Sequence, residues 1–188
     1  MRPERSEALR PTARRAIVDA AMRLWSVNPG APLHEVAERA GVGRATLHRH
    51  FRGRDALLAE VAHTCLDEMR AVVGVLVTPG ASARERLRGM FEAVIPLGDR
   101  YSFLQRESVV DEEAVAGYRA QLDWVAALVA DLKAEGDVAA DVPSAWVVGQ
   151  IDQLVWTAWN ETARGRVAAA DAATLAVRTL LEGLGERT

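Results

Sequence analysis

Apolar residues recur along this chain at the helical spacing i, i+3, i+4, i+7, and no stretch sustains the alternation of a half-buried strand. Ile17, Ala20, Ala21 and Leu24 set the pattern; Leu33, Val36, Ala37 and Ala40 repeat it, as do Leu58, Val61, Ala62 and Cys65. A chain patterned this way can bury its apolar stripes only by packing helix on helix, so the fold class is all-α. Asn28-Pro29-Gly30, Pro79-Gly80, Gly136 and Gly165 punctuate the pattern. The spacing predicts helices over roughly 12–27, 33–40, 44–50, 54–77, 82–97, 100–108, 111–135, 143–164 and 168–184, about nine in all. Ser82 is placed to cap the fifth, and Pro143 suits the first turn of the eighth.

Charge divides the chain unevenly. Residues 1–54 hold eleven arginines against five acids, a net of +6, whereas residues 55–188 hold twelve bases against twenty-one acids, a net of −9. That asymmetry is expected of a small module for a polyanion joined to an acidic body. No apolar run is long enough to span a bilayer, and MRPERSEALRP lacks the apolar centre of a secretory signal, so the expected location is the cytoplasm with no membrane partner. A single cysteine, Cys65, excludes an internal disulfide and a cysteine-based zinc site, and its place on an apolar stripe makes it a core residue.

The stretch AGVGRATLHRHF, residues 40–51, concentrates two arginines, two histidines and a threonine with no acid. Counting Leu33 as position one of a helix-turn-helix, Val36, Ala37, Ala40, Gly41, Val42 and Leu47 fall at positions 4, 5, 8, 9, 10 and 15. Ala37 is small where two helices must cross, Gly41 permits a left-handed turn, and Val42 and Leu47 pin the second helix on the first. That second helix then turns Arg44, Ala45, His48 and Arg49 outward. A helix of this kind fits the major groove, where arginine donates to guanine or to phosphate and a threonine or alanine methyl touches thymine.

With its flanks, VAERAGVGRATLHRHFRGRDALLAEV (36–61) resembles the DNA-binding domain of TetR-family transcriptional repressors. The family's run is Ile/Val-Ala, Ala-Gly-Val, a polar pair, a small residue, Thr-Leu-Tyr, any residue, His-Phe, then Lys-x-x-Leu. The resemblance covers about residues 12–65 by motif. It implies that Arg44, Ala45, Thr46 and His48 face an operator, His48 standing where the family has Tyr. It makes His50 and Phe51 the His-Phe pair that packs and ends the helix, and it puts Arg54 in place of the lysine near a phosphate. The DNA-facing set is thus Arg44, Ala45, Thr46, His48, Arg49, His50 and Arg54. Pro32 and Gly43 replace residues that usually carry hydroxyls. The implied organisation is an N-terminal three-helix DNA-binding domain over 1–55 and an effector-binding and dimerisation domain over 56–188.

In that second part, the 143–164 helix is apolar on several sides. Val147, Ile151 and Leu154 form one stripe and Val148, Val155 and Trp159 another, interrupted by Gln150, Asp152, Gln153 and Asn160. Two apolar faces need two surfaces to meet, so one is expected to line a pocket and the other to meet a second copy, with the choice of face open. Expected ligand contacts are Met90, Phe91, Phe103, Gln121, Trp124, Gln153, Trp156 and Asn160, for an apolar or aromatic small molecule. Expected dimer contacts are Val147, Ile151, Leu154, Leu175, Thr179 and Leu180; the resemblance implies that the last two helices pair with their mates as a four-helix bundle. His48 and His50, two apart on a helix, point about 200° from each other and share no metal. Asp111-Glu112-Glu113 opens a helix, where carboxylates oppose the dipole. No catalytic constellation stands out, and no cofactor or metal is called for. The function expected is a homodimeric DNA-binding regulator, a repressor that a small molecule releases from a palindromic operator. The alternatives are an activator or ligand-independent regulator of the same family, or an all-helical enzyme whose corner only mimics the motif.

Overall fold

A computed structural model describes residues 12–74 and 80–184, and among these every regular element is helical. The elements are α1 (Ala13–Val27), α2 (Leu33–Arg39), α3 (Arg44–His50), α4 (Arg54–Gly74), α5 (Ala83–Val94), α6 (Gly98–Tyr101), α7 (Glu112–Ala134), α8 (Ser144–Ala163) and α9 (Ala169–Leu184). The predicted 75–77 end of the fourth helix and its Pro79 stop lie outside the described residues, as do the first eleven residues. No described helix is long and apolar enough to cross a membrane.

Helices α1–α3 and the start of α4 form a small head. Its centre is Trp25, fully buried, whose indole Nε1 donates to the Ala31 carbonyl at 3.0 Å. Between α2 and α3, Gly41 takes φ +68, the left-handed value that its place in the motif predicts and that a Cβ would strain. The turn closes by Gly41 N–H to the Glu38 carbonyl and Val42 N–H to the Ala37 carbonyl, both at 3.0 Å. Ala37 and Leu47 are buried beneath it.

The remaining helices form the body. Ser82 and Glu85 make a reciprocal capping box at the start of α5, which satisfies two amides that the helix leaves open. The predicted 82–97 helix stops at Val94 and the predicted 100–108 helix is broken. Pro96 has no N–H for the α ladder, so 3-10 turns over Ile95–Leu97 and Ser102–Arg106 flank the single turn of α6. This compact corner lets backbone approach side chain. A Cβ on Gly98 would lie 2.5 Å from Trp159 Cδ1, so only glycine fits there. Trp159 is buried against it and donates its Nε1 to the Val94 carbonyl at 3.0 Å.

Head and body share a seam. Helix α4 runs from one into the other, and α1 packs against α6 and the 3-10 turn after it. There Trp25 meets Phe103 edge-on at 6.0 Å. The chain has two packed groups of helices but one continuous apolar core.

Candidate nucleic-acid interface and effector cavity

Helix α3 is seven residues long and sinks one side chain, Leu47, into the head. Its other side turns outward: Arg44, Ala45, His48 and Arg49 are exposed, while Thr46 and His50 are half-buried. Among the described residues neither Arg44 nor Arg49 has a carboxylate partner, so their charge is available to a ligand. Phe51 ends the helix in extended backbone and is buried, with Arg14 lying 4.9 Å over its ring. Neither Pro32 nor Gly43 supplies a side-chain cap, so the hydroxyls usual at those positions have no substitute at either helix start.

Arg54 departs from its expected place. It does not stand among the outward bases; its guanidinium turns into the seam. Nη1 donates to the Ala31 carbonyl at 3.2 Å, and Nη2 donates to the Pro29 carbonyl at 2.6 Å and to Glu107 Oε1 at 2.7 Å. The same guanidinium lies 4.3 Å over the Trp25 ring. Two backbone carbonyls, a carboxylate and an aromatic face engage this guanidinium, so Arg54 is a strut holding the α1–α2 loop to α4.

Below the seam, α4, α7, α8 and the 104–109 segment line a mainly apolar, half-open cavity of about 650 Å³. Leu66 and Met69 of α4, Tyr118 and Leu122 of α7 and Val155 and Trp156 of α8 form much of its wall. Trp156 stands perpendicular to Trp159 at 5.0 Å. Glu107, the carboxylate that Arg54 grips, also borders the cavity, which thereby reaches the seam. Opposite, the Tyr118 hydroxyl donates to Asp152 Oδ1 at 2.6 Å. Burial, then that bond and the nearby negative charge, push the Tyr118 hydroxyl above its ordinary value, so it stays a donor at any physiological pH. Cys65 also borders the cavity; burial drives its thiol up, which keeps it protonated and poorly nucleophilic.

Of the residues expected at a ligand, Gln153 and Trp156 line this cavity. Asn160 stands behind it, donating to the Trp156 carbonyl at 2.9 Å and to the Gln105 side chain. Met90, Phe91 and Phe103 need correction: all three are buried in the core, Phe103 at the seam against Trp25. Gln121 and Trp124 are half-buried off the cavity wall, the Gln121 Oε1 without a hydrogen-bond partner. Tyr118, Asp152, Glu107 and the α4 residues went unassigned. Asp152 did leave a signal, an acid on an otherwise apolar helix.

The expected dimer set is corrected in the same way. Val147, Ile151 and Leu180 are 0–1% exposed within a single protomer, so no second copy can cover them. Leu154 is half-buried, and Leu175 and Thr179 are exposed. The large apolar side chain presented outward by α8 is instead Trp146, 60% exposed, and α9 presents Leu175, 47% exposed.

Residues 17–61 match the sequence pattern of the family described as bacterial regulatory proteins, tetR family. This span holds α2, the left-handed turn, α3 and the Arg54 start of α4. The head thus carries the sequence pattern of the tetR family. It is 32% identical over 117 residues to the HTH-type transcriptional repressor LfrR of Mycolicibacterium smegmatis (strain ATCC 700084 / mc(2)155). That stretch takes in 62% of this chain and 62% of the repressor, so the likeness spans less than two thirds of the relative's length. Among TetR-like solved structures, LfrR from Mycobacterium smegmatis in complex with proflavine superposes with a TM-score of 0.78 at 24% identity, covering 93% of this chain and 97% of that one. The ketosteroid transcriptional regulator KstR2 of Mycobacterium tuberculosis gives 0.74 at 18% identity over 97% and 100%. At such identities the two superpositions show a common fold.

Proposed function

We propose that this protein is a TetR-family transcriptional repressor that binds a palindromic operator as a homodimer and is released by a small molecule. The observation that carries the reading is the face of α3, where Arg44 and Arg49 stand outward with no carboxylate partner among the described residues, while Leu47 fixes the helix to the head. A basic, shallowly anchored helix of two turns suits the major groove, and one such helix gives weak specificity; two spaced about 34–36 Å apart read a palindrome. The pairing surface is the outward side of α8 and α9, which presents Trp146 and Leu175 together with Leu154 and Thr179. Residues 1–55 then serve the DNA and 56–188 the effector and the partner copy, in the cytoplasm. The LfrR likeness supports the repressor sense, and the proflavine bound to that protein supports an aromatic ligand.

Release follows from the route between cavity and head. Helix α4 is one wall of the cavity, and its first residue, Arg54, grips the loop before α2. A ligand that fits better when α4 is displaced shifts the population toward heads held at the wrong spacing. Footprinting on the DNA flanking the gene, repeated with candidate ligands, tests this. A protected inverted repeat, lost on adding an aromatic ligand, is the expected result. Trp156→Ala should change the ligand dose needed and leave protection without ligand intact. Absence of salt-dependent protection at any flanking site would overturn the reading.

A further inference from the structure

We propose that the body cavity takes a lipophilic organic cation whose charge rests against Asp152. The inference deepens the reading of this cavity as the effector site and rests on it. Three ionisable side chains border the cavity besides the thiol and phenol: Glu107, Arg119 and Asp152. Glu107 already has its counter-ion, because Arg54 Nη2 donates to it at 2.7 Å. Arg119 is exposed.

Asp152 differs from both. It is half-buried on α8, it accepts the Tyr118 hydroxyl at 2.6 Å, and the Gln153 amide approaches its second oxygen at 3.4 Å. Among the described residues no arginine, lysine or histidine pairs with it. The Tyr118 hydroxyl orients the carboxylate but brings no positive charge, and because its pKa is raised it does not ionise to compete. A carboxylate on a mainly apolar wall is costly to strip of water unless a cation comes with the ligand.

The wall beside it suits such a ligand. Trp156 borders the cavity next to Asp152 with its indole perpendicular to that of Trp159, and the ring of Tyr118 comes from the facing helix. Aromatic faces attract cations and take flat apolar surface equally well. A neutral ligand of the same shape would cover Asp152 without compensating it. An anionic one would meet Asp152 and depend on exposed Arg119 alone.

Three compounds sharing one ring system separate these cases: 10-methylacridinium, a permanent cation; acridine, neutral at slightly alkaline pH; and acridine-9-carboxylate. Their binding to the full chain is measured by calorimetry at one ionic strength, with Asp152→Asn alongside; its amide oxygen can still accept from Tyr118. The cation should bind about tenfold more tightly than acridine, and the carboxylate more weakly than either. In Asp152→Asn the cation's advantage should shrink to about twofold or less while acridine binds as before. Equal binding of cation and neutral compound in the unmodified chain overturns the inference, as does an equal loss for all three compounds in Asp152→Asn. If both compounds bind alike yet both release DNA, the effector reading stands without the charge preference. If the cation binds through Asp152 and the footprint does not change, the effector reading fails and the charge preference stands. No binding by any of the three overturns both.

Discussion

The outer face of α3 and the seam between head and body both carry arginine, in opposite surroundings. Arg44 and Arg49 stand exposed, and among the described residues no carboxylate pairs with either. Arg54, only ten positions after Arg44, has its donors divided between two backbone carbonyls and Glu107, and its flat face lies on Trp25. The first arrangement leaves charge available to a polyanion. The second uses charge to hold two pieces of chain together. A guanidinium on the surface near DNA is therefore no guide to a phosphate contact until its donors have been accounted for.

The sharpest way to break that contrast is Arg54→Ala. It removes three hydrogen bonds and the stacking on Trp25, and it leaves Glu107, 19% exposed, without its partner. Leaving one member of a partly buried pair unmatched is expected to lower stability by about 2–3 kcal/mol, readable in a urea titration. Any DNA still bound by the folded fraction should keep its salt dependence. A stability change below about 0.5 kcal/mol, or a salt slope that falls, would return Arg54 to the phosphate side of the comparison.

Arg44→Ala should behave in the reverse sense and with a smaller energy. Folding stability should stay within about 0.5 kcal/mol, because the side chain is exposed and has no hydrogen-bond or ion-pair partner among the described residues. Operator affinity should fall by roughly 1 kcal/mol or more, and the slope of log affinity against log salt should flatten by about one if the contact is to phosphate. A slope that is unchanged while one base position loses its preference would instead mark Arg44 as a reader of base edges.

Why the head was legible and the body less so follows from what each kind of residue encodes. Gly41, Ala37 and Leu47 each have a local steric reason, and the turn fell where the motif put it. Gly98 has no local reason at all. Its requirement comes from Trp159, which is 61 positions away and whose Cδ1 fills the place of a Cβ. Asp152 was visible as an acid on an apolar helix, but its partner Tyr118 lies 34 residues earlier on another helix. The hold of Arg54 on Glu107 was not legible, because a motif position carries no information about a residue 53 positions later. The stripes of α8 and α9 failed for a more general reason. The hydrophobic effect is non-directional, so an apolar stripe does not say whether its own chain or a second copy will cover it. Val147, Ile151 and Leu180 were covered from within.

A part-exposed tie between α4 and α7 offers the finest test of the same contrast. His63 of α4 lies with Nε2 2.9 Å from Asp111 Oδ1, and that oxygen also accepts the Ala114 N–H as the N-cap of α7. The Ala114 amide first, and His63 after it, hold the Asp111 carboxyl below its ordinary value of 3.8. A carboxyl depressed in the folded state adds stability that is fully present above 3.8 and is lost as pH falls through the lower folded value. Asp111→Asn keeps an oxygen for the cap and removes the charge. Thermal melts should therefore show the variant slightly less stable than the unmodified protein at pH 7, with the gap closing as the buffer is taken well below 3.8. Because both groups are part-exposed, raising the salt at pH 7 should narrow the gap as well. A gap at pH 7 that persists in acid would mean that Asp111 acts through the geometry of its cap alone, and that Arg54 is the seam's charge-dependent tie without a second.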